Sequence, residues 1–166
     1  MIENVISNTG PIVALSVIDR LEILKKLFRT VTIPESVHFE LLEGGSSNLG
    51  LINYRKADWI RVEKVNRSID PLLVTALDAG EAEVIELARQ TGIDLVLIDE
   101  RKARKIARTV YGLNVIGSSR ILVEAKRHGL LIEVGTELQK MRDSGYYISD
   151  AIVTATLLQA GELPKV

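Results

Sequence analysis

Residues 95–98 read Leu-Val-Leu-Ile, four apolar side chains in a row, closed by Asp99. Successive side chains of a strand point to opposite faces, so such a run is stable only where both faces of its sheet are covered. That requirement calls for helices on either side, and the rest of the chain supplies them. Strand-length apolar runs at Val5-Ile6, Val31-Thr32-Ile33, Ile60-Arg61-Val62, residues 94–98 and Asn114-Val115-Ile116 alternate with stretches of helical period. The helical stretches lie near 12–27, 35–43, 79–90, 100–111, 118–128, 135–143 and 149–160. The alternation predicts an α/β fold, a three-layer α/β/α arrangement around a mostly parallel sheet of about five strands.

The punctuation agrees. Pro34 suits the first turn of a helix and Glu35 the positive end of its dipole. Gly92, Gly112, Gly129 and Gly161 fall where helical patterns stop. Residues 43–48 and 63–71 read as loops. With 166 residues, no repeat and no linker-like stretch, residues 1–166 are expected to form a single domain.

Composition excludes several classes. The chain has no cysteine, which removes disulfides, thiolate zinc sites and a cysteine nucleophile. A net charge of −1 announces no general affinity for nucleic acid or membrane, so any such partner must be met by a local patch. No apolar run approaches the roughly 20 residues of a membrane span, and no signal-like segment opens the chain. The expected location is cytoplasmic, with no membrane partner. Neither GxxxxGK[ST] nor GxGxxG occurs, which leaves a glycine-rich nucleotide loop unsupported.

Ligands of a parallel α/β sheet gather at the carboxyl ends of its strands. Asn8 follows the first strand and Asp99 the fourth. Asp99 alone also reads as a helix cap. In LDAGEAEVIELA, Glu81 shares a helical stripe with Leu77, Val84, Ile85 and Ala88, whereas Glu83 and Glu86 fall on the opposite, wet face. A carboxylate on the core side is costly unless paired or bound to a cation; the plainer reading of Glu81 is a first-turn acid at the helix terminus. Glu40, three residues after Val37 and one before Leu41, repeats the pattern. Together Asn8, Glu40, Glu81 and Asp99 form an oxygen-donor set suited to Mg²⁺ or Mn²⁺. Such an ion promotes in-line attack on a phosphodiester.

At these residues the sequence resembles the PIN-domain family, the nuclease fold of many prokaryotic toxin ribonucleases, and within it a PIN-like subfamily of prokaryotic proteins. The resemblance is carried by ISNTGPIVAL, IPESVHFEL, GEAEVIELA, LVLIDERKARKIA and GLNVIGSSRILVEAKRHGLL, in the family's order across most of residues 4–131. It implies a divalent-metal-dependent endoribonuclease with catalytic residues Glu40, Glu81 and Asp99 and metal ligands Asn8, Glu40, Glu81 and Asp99. It further implies an RNA substrate, a possible role as the toxin of a toxin–antitoxin pair with a small antitoxin partner, and a homodimer. The chain departs from the family at residue 8, where Asp is usual: the amide of Asn8 ligates through oxygen but carries no charge and is no carboxylate base. An impaired PIN-like module that binds RNA or a protein is therefore the alternative. A third reading is an α/β protein whose acids only cap and pair.

Thr9 is available to a phosphate or a metal-bound water. On the helix after Asp99, Arg101, Lys105 and Arg108 share one face and read either as solvated charges or as a phosphate track. Arg104, nearer the site edge, is the favoured phosphate contact, with Arg101 beside it. Ser118-Ser119 reads as a helix cap without chemistry, Ser149-Asp150 as a helix N-terminus, and His38 and His128 as surface histidines. Trp59 and Tyr54 are expected to anchor a helix or a dimer contact.

Overall fold

A computed structural model describes residues 3–44 and 48–163. Five parallel strands, β1 (Asn4–Ser7), β2 (Thr30–Pro34), β3 (Ile60–Glu63), β4 (Leu95–Leu97) and β5 (Asn114–Ile116), form one sheet in the order β3-β2-β1-β4-β5. Helices α1 (Thr9–Val17), α2 (Glu22–Leu27), α3 (Glu35–Glu43), α4 (Asn48–Lys56), α5 (Pro71–Ala76) and α6 (Ala79–Thr91) lie before β4 in the chain. Helices α7 (Arg101–Thr109), α8 (Ser118–Arg127), α9 (Val134–Asp143) and α10 (Asp150–Gln159) follow it. Helices flank the sheet on both sides, the expected three-layer α/β/α arrangement.

Val96, Leu97 and Ile98 are fully buried, as are Val5, Ile6 and Ile33 on neighbouring strands. The unbroken apolar run thus marks the covered centre of the sheet. Chain order reverses between β1 and β4, so the crevice at their carboxyl ends is the switch point where α/β proteins hold ligands. Asn8 and Asp99 stand just behind those two strands, and the Asn8 backbone N–H donates to Leu97 O at 2.9 Å.

Several expectations need correction. The stretch 12–27 is two helices. Asp19 takes φ 56°, a left-handed turn that Asp tolerates better than most residues, and the chain changes direction there. Helices α4 and α5 were not foreseen. α5 begins at Pro71 behind Asp70, whose side chain accepts from Leu72 N at 2.9 Å and so closes the loop expected over 63–71. Of the loop expected over 43–48, residues 45–47 lie outside the described residues. Glu86 is not on a wet face: it is fully buried, accepts from Arg67 at 2.7 Å and Arg89 at 3.0 Å, and receives Asp70 N at 3.1 Å. Helical period assigned Glu86 to solvent because the loop carrying Arg67 and Asp70, which folds over that face, leaves no trace in the period of α6.

Candidate functional site

The site is built at the switch point from the ends of β1 and β4 and the first turns of the helices around them. Asn8 is the N-cap of α1 but makes no capping hydrogen bond, and it is 8% exposed. Thr9 donates its hydroxyl to Glu40 Oε2 at 2.8 Å, tying the start of α1 to α3. Gly80, in the first turn of α6, leaves open the space between them. A Cβ there would sit 3.2 Å from both Asn8 Oδ1 and Glu40 Oε2. The two oxygens therefore face one point, and Gly80 keeps that point free. The Glu40 side chain is otherwise exposed, reaching the site from its rim.

Glu81 is 7% exposed and completes a capping box: Asp78 N donates to Glu81 Oε2 at 3.2 Å, and Glu81 N donates to Asp78 Oδ1 at 2.8 Å. The first-turn role that its position also suggested is therefore real. Burial pushes the Glu81 carboxyl above the ordinary carboxylate range, and the charges of Asp78, Glu100 and Glu40 push it further, against the lowering effect of the Asp78 amide.

Asp99 is not the cap of α7. Glu100 is, accepting from Ala103 N at 2.8 Å. Asp99 is instead held from the far side of the site. Its Oδ1 accepts from Ser118 N at 2.7 Å, and its Oδ2 accepts from the hydroxyls of Ser118 and Tyr146. Ser118, expected to be without chemistry, is thus the main support of this carboxylate. Burial, and then the Asp99 charge, raise the Tyr146 phenol far above its ordinary value, so it stays a donor.

Two further glycines admit these contacts. A Cβ on Gly10 would lie 3.3 Å from Tyr146 Oη and 3.4 Å from Asp99 Oδ2. One on Gly117 would lie 2.8 Å from Asp99 Oδ1 and 2.7 Å from Arg104 Nη1. Arg104 donates from Nη1 to Ile98 O at 2.9 Å, which fixes its guanidinium beside Asp99. Burial and the neighbouring Arg108 lower its pKa, and Asp99 opposes them, but a guanidinium stays charged regardless. Arg101 is exposed and lines a cavity of about 270 Å³ together with Asp99, Arg104 and Tyr146.

The structure thus brings Asn8, Thr9 and Glu40 together above Gly80, and separately groups Asp99 with Ser118, Tyr146 and Arg104. Residues 8–10 join the two groups, since Asn8 and Thr9 face the first and Gly10 touches the second. Glu81, next to Gly80 in the chain, turns its carboxylate back to the Asp78 N–H. Among the described residues no three acidic or histidine side chains stand close enough to hold one cation. Nor does any of Glu40, Asp78, Glu81, Asp99 or Glu100 form an ion pair among them. Uncompensated oxygen donors of this kind suit a hard divalent cation. The residues fit one through the Asn8–Glu40 pair, not through a closed cage of carboxylates.

A family model described as a PIN domain matches residues 4–162. The chain belongs to the PIN-domain family. No curated protein and no solved structure matches it. PIN domains are a nuclease fold, and PIN nucleases generally act on RNA and use divalent metals. In this PIN domain the sheet order places residue 8 and Asp99 at the ends of neighbouring strands, although they are 91 positions apart in the chain. From the sequence Ser118 reads only as a helix cap and Tyr146 only as an anchor or a dimer contact, and the three glycines carry no role at the site. A serine behind Gly117 at a strand end was the available signal for Ser118. Tyr146 follows Gly145, whose φ of 87° turns the chain back toward the sheet.

Elsewhere, Tyr54 is buried and bonded to His38 Nδ1 at 2.5 Å, and Trp59 Nε1 donates to Glu22 at 3.2 Å. Both aromatics anchor helices. Asp150 opens α10 behind its cap Ser149, whose side chain accepts from Ile152 N. Among the described residues no helix is long and apolar enough to cross a membrane.

Proposed function

We propose that this chain is a divalent-cation-dependent endoribonuclease that hydrolyses RNA phosphodiesters at the carboxyl edge of its sheet. The observation that carries the reading is the pair Asn8 Oδ1 and Glu40 Oε2, both aimed at the space above Gly80, with Glu40 in no ion pair among the described residues. Mg²⁺ or Mn²⁺, when bound, supplies the positive charge that a phosphodiester under attack requires. The chain's own residues do the positioning. Thr9 orients Glu40, and Ser118 with Tyr146 fixes Asp99. Glu81 keeps negative charge behind the pair, and Arg101 and Arg104 offer guanidinium donors to phosphate. The family adds finer proposals: a cytoplasmic toxin of a toxin–antitoxin pair, restrained by a small antitoxin protein, and a homodimer.

The neutral amide of Asn8 favours a second reading, in which the chain binds RNA or a protein without cutting it. Calorimetric titration of Mn²⁺ into the protein and into Glu40→Gln tests the common premise. Saturable binding by the protein and at least tenfold weaker binding by the variant are expected. Equal binding by both, or none, would remove the cation from the site.

A further inference from the structure

A cavity of about 460 Å³ opens along the edge strand β5 and is lined from α7, α8 and α10 as well. Its volume falls within the roughly 300–1,000 Å³ of small-molecule sites, which are mostly apolar with a few convergent polar groups. The apolar lining includes Val115 and Ile116 of β5 and Ile152 and Ala155 of α10. Ile152 is 48% exposed and Ala155 is exposed beside it, on a helix whose only charged residue is Asp150. The core leaves this apolar wall uncovered.

The charges of the cavity are sorted by sign. Arg104 and Arg108 stand one turn apart on α7. Main-chain oxygens fix both guanidiniums, Ile98 O holding Arg104 at 2.9 Å and Val115 O holding Arg108 at 2.7 Å. Each keeps donors to spare, and neither forms an ion pair among the described residues. Glu124, which also lines the cavity, is already engaged by Arg120 and Arg127 at 2.8 Å each. The remaining acid of the lining is Glu3, exposed and in no ion pair among the described residues.

Arg104 and Glu3 mark opposite ends. Arg104 is held at the carboxyl end of β4, whereas Glu3 precedes β1 at the amino end of the sheet. The pairing of Ile6 with Val96 sets Glu3 level with residue 93, five residues from Ile98. At the rise of a strand that span is roughly 16 Å. A matching ligand is anionic at one end, flat or apolar along its middle, and a hydrogen-bond donor at the other end. Phosphate suits two fixed guanidinium forks, and the amino hydrogens of a purine suit a carboxylate. A longer polyanion would bring its next phosphate against the uncompensated charge of Glu3.

We propose that this cavity binds a free purine nucleotide, its phosphates on Arg104 and Arg108, its base along Ile152 and Ala155, and the amino edge of the base toward Glu3. The proposal goes beyond the nuclease reading and does not rest on it, since the cavity includes none of Asn8, Glu40, Glu81 or Asp99.

Calorimetric titration of ADP into the protein tests the site, in EDTA so that no cation at Asn8 and Glu40 draws the phosphates there. Adenosine, pyrophosphate, UDP and the RNA trinucleotide ApApA serve as comparisons. Three variants are read beside the parent: Arg108→Gln, Glu3→Ala, and Ala155→Trp, which fills the cavity from an exposed position without changing a charge. Lys26→Gln, an equal charge loss on α2 outside the cavity, is the control. ADP is expected to bind at least tenfold more tightly than any of the four comparisons. Arg108→Gln and Ala155→Trp should each weaken it at least tenfold, Glu3→Ala should abolish the preference over UDP, and Lys26→Gln should cost less than about twofold. No binding of ADP, unchanged binding by Ala155→Trp, or equal loss in Lys26→Gln would overturn the site. Pyrophosphate, UDP or ApApA binding as tightly as ADP would overturn the nucleotide as its ligand. None of these readings involves cleavage, so the site can fail while the nuclease reading stands, and the reverse.

Discussion

Tyr146 and Asp99, 47 residues apart in the chain, share a hydrogen bond in which the phenol donates and the carboxylate accepts. With both Ser118 donors on the same carboxylate, the second half of the site is fixed from the chain that follows β4. The first half is fixed from the N-terminal part, by Thr9 of α1 on Glu40 of α3.

Tyr146→Phe keeps the ring and deletes the donor. A hydrogen bond to a charged group contributes about 1.5–3 kcal/mol net, so the unfolding free energy from urea titration should fall by about 1.5 kcal/mol, seen as a lower midpoint at unchanged m-value. The pH dependence has a defined sign. Burial and Asp99 raise the Tyr146 phenol above the ordinary tyrosine value. The folded state therefore holds a proton that the unfolded chain releases above pH about 10. Stability is intact below that pH and declines as pH rises beyond it. Tyr54, pushed up to about 12 by burial, adds to the decline. The Phe variant should show a shallower fall than the parent in thermal melts between pH 9 and 11.

Glu81→Gln should act the other way. Its folded pKa is raised by burial first and by neighbouring charge second. The contribution of its protonated form is full below the unfolded value and is lost as pH rises above it. Glutamine keeps an oxygen to accept from Asp78 N and removes the crowded charge. Melting temperature should rise relative to the parent at pH 7 and match it near pH 4, followed by circular dichroism.

Gly80→Ala separates site from scaffold. Alanine is favoured over glycine within a helix by about 1 kcal/mol, and 3.2 Å contacts to two side-chain oxygens are tight but adjustable. Stability should hold within about 1 kcal/mol while Mn²⁺ affinity in calorimetry falls by at least tenfold, because the new methyl fills the space that Asn8 and Glu40 face.

The sheet was legible because burial on both faces writes itself as uninterrupted apolar residues, as in residues 95–98. Asn8 and Asp99 were legible because strand ends are local features and the switch point follows from topology. The supports of Asp99 were not. Nothing near Tyr146 or Ser118 in sequence signals an acid, since only the folded chain brings α8 and the turn after α9 to β4. Glu86 misled for the same reason, its arginine and amide partners arriving from a loop that helical period does not describe. Glu81 carried two compatible meanings, and the capping box and the raised carboxyl are both present in one side chain.

The most direct test of the central claim, that this carboxyl edge hydrolyses RNA with a divalent cation, is cleavage of an unstructured labelled RNA in Mn²⁺ by the protein and by Asn8→Asp. A second charge beside Glu40 should strengthen cation binding. Slow, EDTA-sensitive cleavage by the parent and at least a tenfold faster rate in the variant are expected. Intact RNA with both proteins, at Mn²⁺ concentrations that calorimetry shows to be saturating, would contradict it.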